Sequence, residues 1–169
     1  MPVRAAVRRR ESGFTMLEIL ITLLIMSIGL LGIAGLQAYT LKNTNSSNLR
    51  SIAVRQAYDL ADRMRANQTI LDAGGYNNES GAEVASCYQA AGCQPAQMAR
   101  MDVFLWNENN ARLLPGGKGY VCTDSTPNDG TPTAPACDNT PGAPYVLKTW
   151  WDEREASGEL QRFVFAFRP

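Results

Sequence analysis

The sequence of 169 residues contains no histidine. Histidine is the most frequent general base in enzymes, the usual partner of a nucleophilic side chain and the most frequent metal ligand. Its absence argues against these kinds of active site. We therefore predict that the protein is not an enzyme and uses no catalytic residue, metal ion or cofactor.

Two short motifs with a superficial likeness to ligand sites are incomplete. The run Gly116-Gly117-Lys118-Gly119 lacks the earlier glycine and the following Ser or Thr of a phosphate-binding loop, which indicates a turn. Asp124, Asp129 and Asp138 are not spaced like the ligands of an EF-hand calcium loop. We interpret these three residues as solvated turn residues.

Charge is nearly absent between residues 14 and 41, where Glu18 is the one acidic or basic side chain. The stretch is apolar to Leu36 and follows the basic run Arg8-Arg9-Arg10. About 20 apolar residues span a bilayer, and basic residues beside a span favour its cytoplasmic side. A charge in such a span costs roughly 3 kcal/mol or more near the bilayer centre, so its default interpretation is functional.

Two simpler interpretations of this segment leave Glu18 without a role. An ordinary secretory signal peptide would be removed, for example after Ala34, but such peptides do not begin their apolar region with a carboxylate. A plain membrane anchor needs only the apolar length. Neither explains why a glycine, an aromatic residue and a glutamate lie together at the border of the stretch.

The motif Gly13-Phe14-Thr15-Met16-Leu17-Glu18 strongly resembles the type IV prepilin signature. This resemblance implies that a prepilin peptidase cleaves after Gly13, that Phe14 becomes an N-methylated terminus, and that the apolar segment is kept. Cleavage leaves a terminal amine four residues before Glu18. We hypothesise that Glu18 acts in assembly by pairing with the terminal amine of a neighbouring subunit, because a buried carboxylate needs a cationic partner.

Segments along the whole chain resemble minor pilins of the PilV type; they are Cys93–Ala99, Trp106, Leu114–Gly117, Val121-Cys122, Ser125–Gly130, Trp150-Trp151 and Gln161–Val164. The resemblance implies a structural subunit that primes pilus assembly and lies at the filament tip, with roles in twitching motility and adhesion. The implied partners are other minor pilins, the major pilin, the inner-membrane assembly platform and a tip adhesin. The implied location is the inner membrane, with the globular domain in the periplasm, and then the extracellular pilus.

Two other functions share parts of this pattern. A minor pseudopilin of a type II secretion system has the same signature, helix and tip role. A DNA-binding or other ligand-binding pilin is the second alternative, and DNA binding would require a basic patch. The chain from Lys42 onward has 12 basic and 14 acidic side chains and no run of Lys or Arg, so a nucleic-acid partner is not expected.

The predicted fold is α+β, with a long N-terminal helix whose second half packs on a small antiparallel sheet, as in type IV pilins. The expected parts are a leader at residues 1–13, a transmembrane and filament-core helix at 14–41, and a globular domain at 42–169. The helix is expected to run from Phe14 to about Asn67. Its second half has an amphipathic stripe, made of Leu49, Ala53, Ala57, Leu60 and Met64.

An alternative for this region is two helices separated at residues 43–48, since the sequence Asn-Thr-Asn-Ser-Ser-Asn is poor in helix formers. Gly29, Gly32 and Gly35 also recur within the apolar half. These glycines indicate either close helix–helix packing or a stretch that unwinds locally, and the residues do not distinguish the two.

The remaining elements are inferred from turn signals and from periodicity. A second helix is predicted at Pro95–Leu114, with an apolar stripe of Met98, Met101 and Leu105 and with Trp106 in the core. Three strands are predicted at Gly119–Thr123, Tyr145–Trp151 and Leu160–Phe167, with a hairpin turn at Ser157-Gly158. Phe163, Phe165 and Phe167 are expected on one face of the last strand.

The four cysteines are Cys87, Cys93, Cys122 and Cys137. In an exported domain an even number of cysteines indicates disulfides, and their separations differ from those of zinc sites. Of the three connectivities, we favour the local pairs Cys87–Cys93 and Cys122–Cys137.

Processing is predicted between Gly13 and Phe14, because glycine lets the backbone enter the protease site without a side-chain clash. Intact-mass spectrometry of the mature protein should find a chain that begins at methylated Phe14. A mature terminus at Gly35 would overturn the prepilin interpretation.

Overall fold

A computed structural model of the chain describes residues 13–153 and 160–169. The helices are α1 (Met16–Ala66), α2 (Gln68–Asp72) and α3 (Pro95–Leu113), with a 3₁₀ turn at Ala85–Tyr88. The strands are β1 (Lys118–Thr123), β2 (Tyr145–Asp152) and β3 (Leu160–Phe167), which form one antiparallel sheet in the order β1-β2-β3. The predicted α+β fold is confirmed. The chain divides into two units, Met1–Thr44 and Asn45–Pro169.

Helix α1 is one continuous element, so the alternative of two helices separated at residues 43–48 is wrong. The polar residues of that region do not break the helix, and one hydroxyl group within it and one just after it are satisfied by carbonyl groups of the preceding turn. Thr44 donates a hydrogen bond to the carbonyl of Thr40, and Ser51 donates one to that of Ser47. The weak intrinsic preference is overridden by burial that begins at Leu49, since tertiary packing supplies most of a helix's stability.

The second half of α1 packs on the domain core through the predicted stripe. All five stripe residues are buried, and Ala61 joins them. The main cluster brings Ala57, Leu60 and Met64 together with Trp106 of α3 and Leu147 of β2. Burying one such large apolar side chain contributes about 1.5–3 kcal/mol, so this stripe is a principal source of the domain's stability.

Helix α3 begins at Pro95, as predicted, but its buried face differs from the expected one. The main chain at Gln94 and the side chain of Gln97 form part of a capping box at its start. Met101 is buried, whereas Met98 is exposed and Leu105 is only half-buried. The stripe prediction was therefore wrong for these two residues, because the core contacts come from smaller side chains, with Ala99 and Val103 beside Trp106.

Trp106 is buried in the core, as predicted, and it constrains the start of the sheet. Gly119 of β1 lies directly against its indole ring, and a Cβ atom there would overlap the ring and the amide of Asn110. The predicted turn is present at Pro115-Gly116, with Gly116 at a φ of 61°, whereas Lys118 and Gly119 of the predicted turn already belong to β1.

The sheet turns one face towards α1. β2 is its central strand and is buried from Tyr145 to Trp151. Phe163, Phe165 and Phe167 of β3 pack against the core clusters, which confirms their shared face. Phe165 also contacts Tyr58 of α1, with ring centroids 4.6 Å apart. The predicted turn at Ser157-Gly158 lies outside the described residues.

Both disulfides have the local connectivity that we favoured, Cys87–Cys93 and Cys122–Cys137. The first closes a short loop that begins within the 3₁₀ turn. The second ties the end of β1 to the long loop between β1 and β2. That loop carries no helix or strand of its own, apart from the isolated bridge between Thr131 and Ala134, so the disulfide restricts it strongly.

We predict that Cys122→Ser lowers the steady-state level of the protein. In the chain-entropy model, closing a loop of about 16 residues contributes about 3 kcal/mol, which is a large share for a small domain. Immunoblotting of cell fractions measures the level, and Cys87→Ser gives the matched comparison because its loop is much shorter. A Cys93–Cys122 pair in non-reducing peptide mapping would contradict the local pairing.

Candidate functional site

The start of α1 is capped by Thr15 rather than by Glu18. The backbone N–H of Glu18 donates to the side-chain Oγ1 of Thr15 at 3.3 Å and to its carbonyl at 3.1 Å. These bonds make Thr15 the N-cap and place Glu18 in the first turn, at the positive end of the helix dipole. Since Thr15 satisfies the amide of Glu18, the carboxylate is left for other interactions.

Within residues 13–153 and 160–169, no donor or cation pairs with the carboxylate of Glu18. The hydroxyl groups of Thr22 and Ser27 in this segment, in contrast, do have hydrogen-bond partners. Thr22 donates to the carbonyl of Ile19, and Ser27 donates to that of Leu24. Their polarity is satisfied inside the helix. Glu18 is therefore the one charged side chain between residues 14 and 41, and its carboxylate is exposed and has no partner among the described residues.

The apolar side chains around Glu18 are exposed. Phe14 is 80% exposed, Met16 is 84% exposed, and the large residues that follow, as far as Leu36, are each about half exposed or more. The helix is long and apolar enough to cross a membrane, and its most apolar 18-residue window has no buried residue. Such a surface requires a lipid or protein environment. Among the described residues, nothing covers the apolar sides of this segment.

The three glycines of this segment lie in regular helix. A Cβ at Gly29, Gly32 or Gly35 would meet no neighbouring atom within 4 Å. In the isolated chain these positions thus have open space around them. Close packing and local unwinding both stay predictions.

The globular unit contains a buried ion cluster that the sequence did not predict. The Nζ of Lys148 lies 2.6 Å from Oδ2 of Asp124 and 2.9 Å from Oδ1 of Asp129, and it donates to the carbonyl of Pro135 at 2.8 Å. The side chains of Lys148 and Asp124 are completely buried. Our interpretation of Asp124 as a solvated turn residue was therefore wrong.

A sequence signal for this cluster existed. Lys148 lies in the middle of the predicted strand Tyr145–Trp151, where its neighbours are apolar, and a lysine there requires an anionic partner if it is buried. The identity of that partner depends on how the loop folds back. Hydrogen bonds from Lys148 lower the pKa of the Asp129 carboxyl, so this residue stays ionised beside the lysine.

The same loop is held at Asp138. Its carboxylate accepts hydrogen bonds from Ser125 and from the backbone N–H of Thr140, and these bonds lower its pKa to about 2. Cys122, Asp124 and Cys137 lie close together. Both cysteines form the disulfide, so their sulfur atoms do not serve as thiolate ligands. The arrangement is a structural clamp on the loop.

A second buried network joins the end of α1 to α3. Tyr76 donates to Oδ2 of Asp102 at 2.8 Å, Asn67 donates to the hydroxyl of Tyr76 at 3.2 Å, and Arg63 lies 3.6 Å from Asp102. Burial raises the pKa of Tyr76. Burial also raises the pKa of Asp102, against the lowering effect of Tyr76 and Arg63. The network fixes the two helices against each other and presents no open cleft.

Two family models match the chain. Residues 8–34 match the prokaryotic N-terminal methylation motif, which includes Gly13, Phe14 and Glu18. Residues 35–104 match the family described as type IV pilin Tt1218. No curated protein and no solved structure matches the chain significantly. The matches cover α1, α2 and the start of α3, while the sheet lies beyond them.

We predict that Lys148→Met destabilises the domain by about 3–5 kcal/mol, because it leaves the Asp124 carboxylate buried without its cation. The double variant Lys148→Met/Asp124→Asn should recover much of the loss, since neither charge is then buried. Chemical denaturation of the detergent-solubilised chain measures the free energy of unfolding of the single and the double variant. Arg65→Met is the matched control, as Arg65 pairs with Asp62 on the exposed surface of α1. Equal losses for Lys148→Met and Arg65→Met would contradict the buried pair.

Proposed function

We propose that this chain, whose residues 35–104 match a type IV pilin family and whose residues 8–34 match the prokaryotic N-terminal methylation motif, is a minor pilin of the type IV pilus that primes pilus assembly and lies at or near the filament tip. The observation that carries the proposal is the exposed, apolar first half of α1. It has one carboxylate, Glu18, near its start and within the matched methylation motif. Such a helix is stable in a membrane and can be buried by neighbouring helices in a filament. The protein acts structurally in this role.

The position of the disulfide supports a minor rather than a major subunit. Major pilins commonly bracket a C-terminal loop with their disulfide. Here Cys122–Cys137 clamps the loop between β1 and β2, and the complete strand β3 follows it. Together with the resemblance of residues along the chain to the PilV type, this arrangement favours a subunit made in few copies.

Charge selection at Glu18 is the proposed mechanism of assembly. A prepilin peptidase cleaves after Gly13 and leaves a methylated amine at Phe14. Among parallel apolar helices, the terminal amine of an adjacent subunit is the cation available at the depth of Glu18. An unpaired carboxylate in that environment costs several kcal/mol, so pairing sets the axial offset of subunits and rejects misplaced ones.

The proposed partners follow from this mechanism. They are other minor pilins, the major pilin, the prepilin peptidase, the assembly platform of the inner membrane and a tip adhesin. Before assembly the first half of α1 lies in the inner membrane, and the arginines that precede it favour a globular domain on the periplasmic side.

A deletion strain tests the function. The proposal expects loss of surface pili and of twitching, with secretion of exoenzymes retained and with recovery when the wild-type chain is supplied. Loss of exoenzyme secretion with normal pili would instead identify a minor pseudopilin. Normal piliation together with loss of DNA uptake would favour a DNA-binding pilin.

We predict that Glu18→Ala leaves the protein processed and inserted in the membrane but reduces its amount in sheared pili by more than roughly tenfold, since several kcal/mol of pairing energy is lost. Quantitative mass spectrometry of sheared pili, normalised to membrane fractions, gives this ratio. Thr22→Val is the matched control, because the hydroxyl of Thr22 is satisfied within the helix. Wild-type incorporation of Glu18→Ala with normal twitching would exclude the proposed role of Glu18.

A further inference from the structure

The two edge strands of the sheet differ in whether their outward backbone groups have hydrogen-bond partners. Strand pairing in an antiparallel ladder alternates, so every second residue of an edge strand turns its N–H and C=O away from the sheet. On β1 the residues that point outward are Gly119, Val121 and Thr123, as their hydrogen-bond partners show. The register then places Arg162, Val164 and Ala166 of β3 with their backbone groups pointing outward from the opposite edge.

The β1 edge is closed by asparagines. Asn107 accepts from the N–H of Gly119, and Asn77 accepts from that of Thr123. The backbone N–H of Asn78 donates to the carbonyl of Val121, and that of Asn139 donates to the carbonyl of Thr123. Another strand has little left to bind at this edge.

The β3 edge, which we define as the outward backbone groups of Arg162, Val164 and Ala166, is open. Within the described ranges, 13–153 and 160–169, none of these groups has a backbone or side-chain partner. The strand has eight residues and no proline. Its charged side chain in this stretch, Arg162, is turned back onto the β1–β2 loop, where it donates to the carbonyls of Gly130 and Asn128. The usual devices that protect an edge strand are therefore missing here.

We propose that the β3 edge is a docking site for an extended strand donated by a different protein of the filament tip. Backbone hydrogen bonds would provide the attachment, as in other cases of strand addition. A second copy of this chain fits less well, because its β1 edge is already occupied. The pairing left for two copies is between their β3 edges, in a closed dimer. Such a dimer would leave neither β3 edge open to another subunit.

The side chains beside the β3 edge indicate the chemistry of the incoming strand. On the α1 side lie Tyr58, which is half exposed, and the half-buried Phe165, which contacts it with the two ring planes tilted by 51°. On the other side lie the half-buried Val164 and the exposed Ala166. Between Arg162, which is turned onto the β1–β2 loop, and Arg65, which lies over the ring of Phe167, both sides are apolar. The donated segment is therefore expected to carry apolar or β-branched residues opposite this part of the strand.

The inference rests on the proposed function, since it places the partner in the tip complex. The test uses the full chain in piliated cells, with the photo-crosslinking residue benzoylphenylalanine at Ala166 or at Tyr58. Ala111, which is exposed on α3, is the matched control position. We expect Ala166 and Tyr58 to label one contiguous segment of one partner protein, as identified by mass spectrometry of the adducts, and Ala111 to give no such adduct.

Val164→Pro removes an outward N–H and spares the bonds to β2, and proline is tolerated at such edge positions. It should weaken the Ala166 adduct by roughly fivefold or more, the effect of one or more hydrogen bonds, while Val164→Thr keeps the adduct. Protein level and formation of Cys122–Cys137 report whether the variants fold. If Val164→Pro does not accumulate, the crosslinking result alone tests the proposal, and labelling of one partner segment from both Ala166 and Tyr58 supports it.

Three results would overturn the inference: adducts between two copies of this chain, no adduct at either edge position, or an adduct that a folded Val164→Pro leaves unchanged. These results are distinct from failure of the proposed function. A deletion strain that loses pili, combined with any of them, would leave the priming role intact and exclude the β3 edge as its docking site.

Discussion

The small residues on one face of α1 let the sheet and α3 approach it closely, and the rest of the domain depends on this contact. Ala53, Ala57 and Ala61 are completely buried, as are Leu60 and Met64 on the same stripe. Alanine keeps the backbone near its neighbours, while the two larger side chains fill the core. A bulkier residue at Ala57 would separate α1 from the sheet and open the cluster around Trp106.

Polar interactions then specify how the elements around this contact are arranged. The hydrogen bonds of Asn67, Tyr76 and Asp102 join the end of α1 to α3. On the other side of the sheet, Lys148 holds the β1–β2 loop through Asp124 and Asp129. Buried charges of this kind add less net stability than apolar contacts, but a wrong arrangement of the loop would leave them unpaired. The loop has one favourable position for this reason.

The same rule of pairing explains the contrast between the two units of the chain. In the globular unit the buried lysine meets its carboxylates inside the fold. In the N-terminal unit Glu18 has no such partner among the described residues, and the apolar side chains near it are exposed. A chain that satisfies its charges in one unit and leaves one charge unpaired in the other is suited to assembly with other subunits.

Much of the fold was predictable because it depends on local patterns. Four features were each predicted from residues close together in the chain, and all were confirmed. They are the stripe of α1, Pro95 at the start of α3, the alternating phenylalanines of β3 and the local cysteine pairs. The prepilin signature is also local, since it requires consecutive residues at the border of an apolar stretch. The prokaryotic N-terminal methylation motif matched over residues 8–34 covers these positions, and the six-residue signature itself stays a prediction.

Features that depend on long-range contacts were not predictable in the same way. The sequence places a lysine in the middle of an apolar strand, but only the folded loop shows that Asp124 is its partner. The buried face of α3 was misjudged because Ala99 and Val103, rather than Met98 and Leu105, meet the core. The difference between the two sheet edges depends on strand order and on asparagines distant in the chain, which occupy the β1 edge. By itself the sequence determined the long helix, the motif at its start and the paired cysteines, because these follow from local periodicity and spacing. The tertiary structure alone decided which charges are buried and, among the described residues, which sheet edge has no partner, because those properties depend on what the rest of the chain covers.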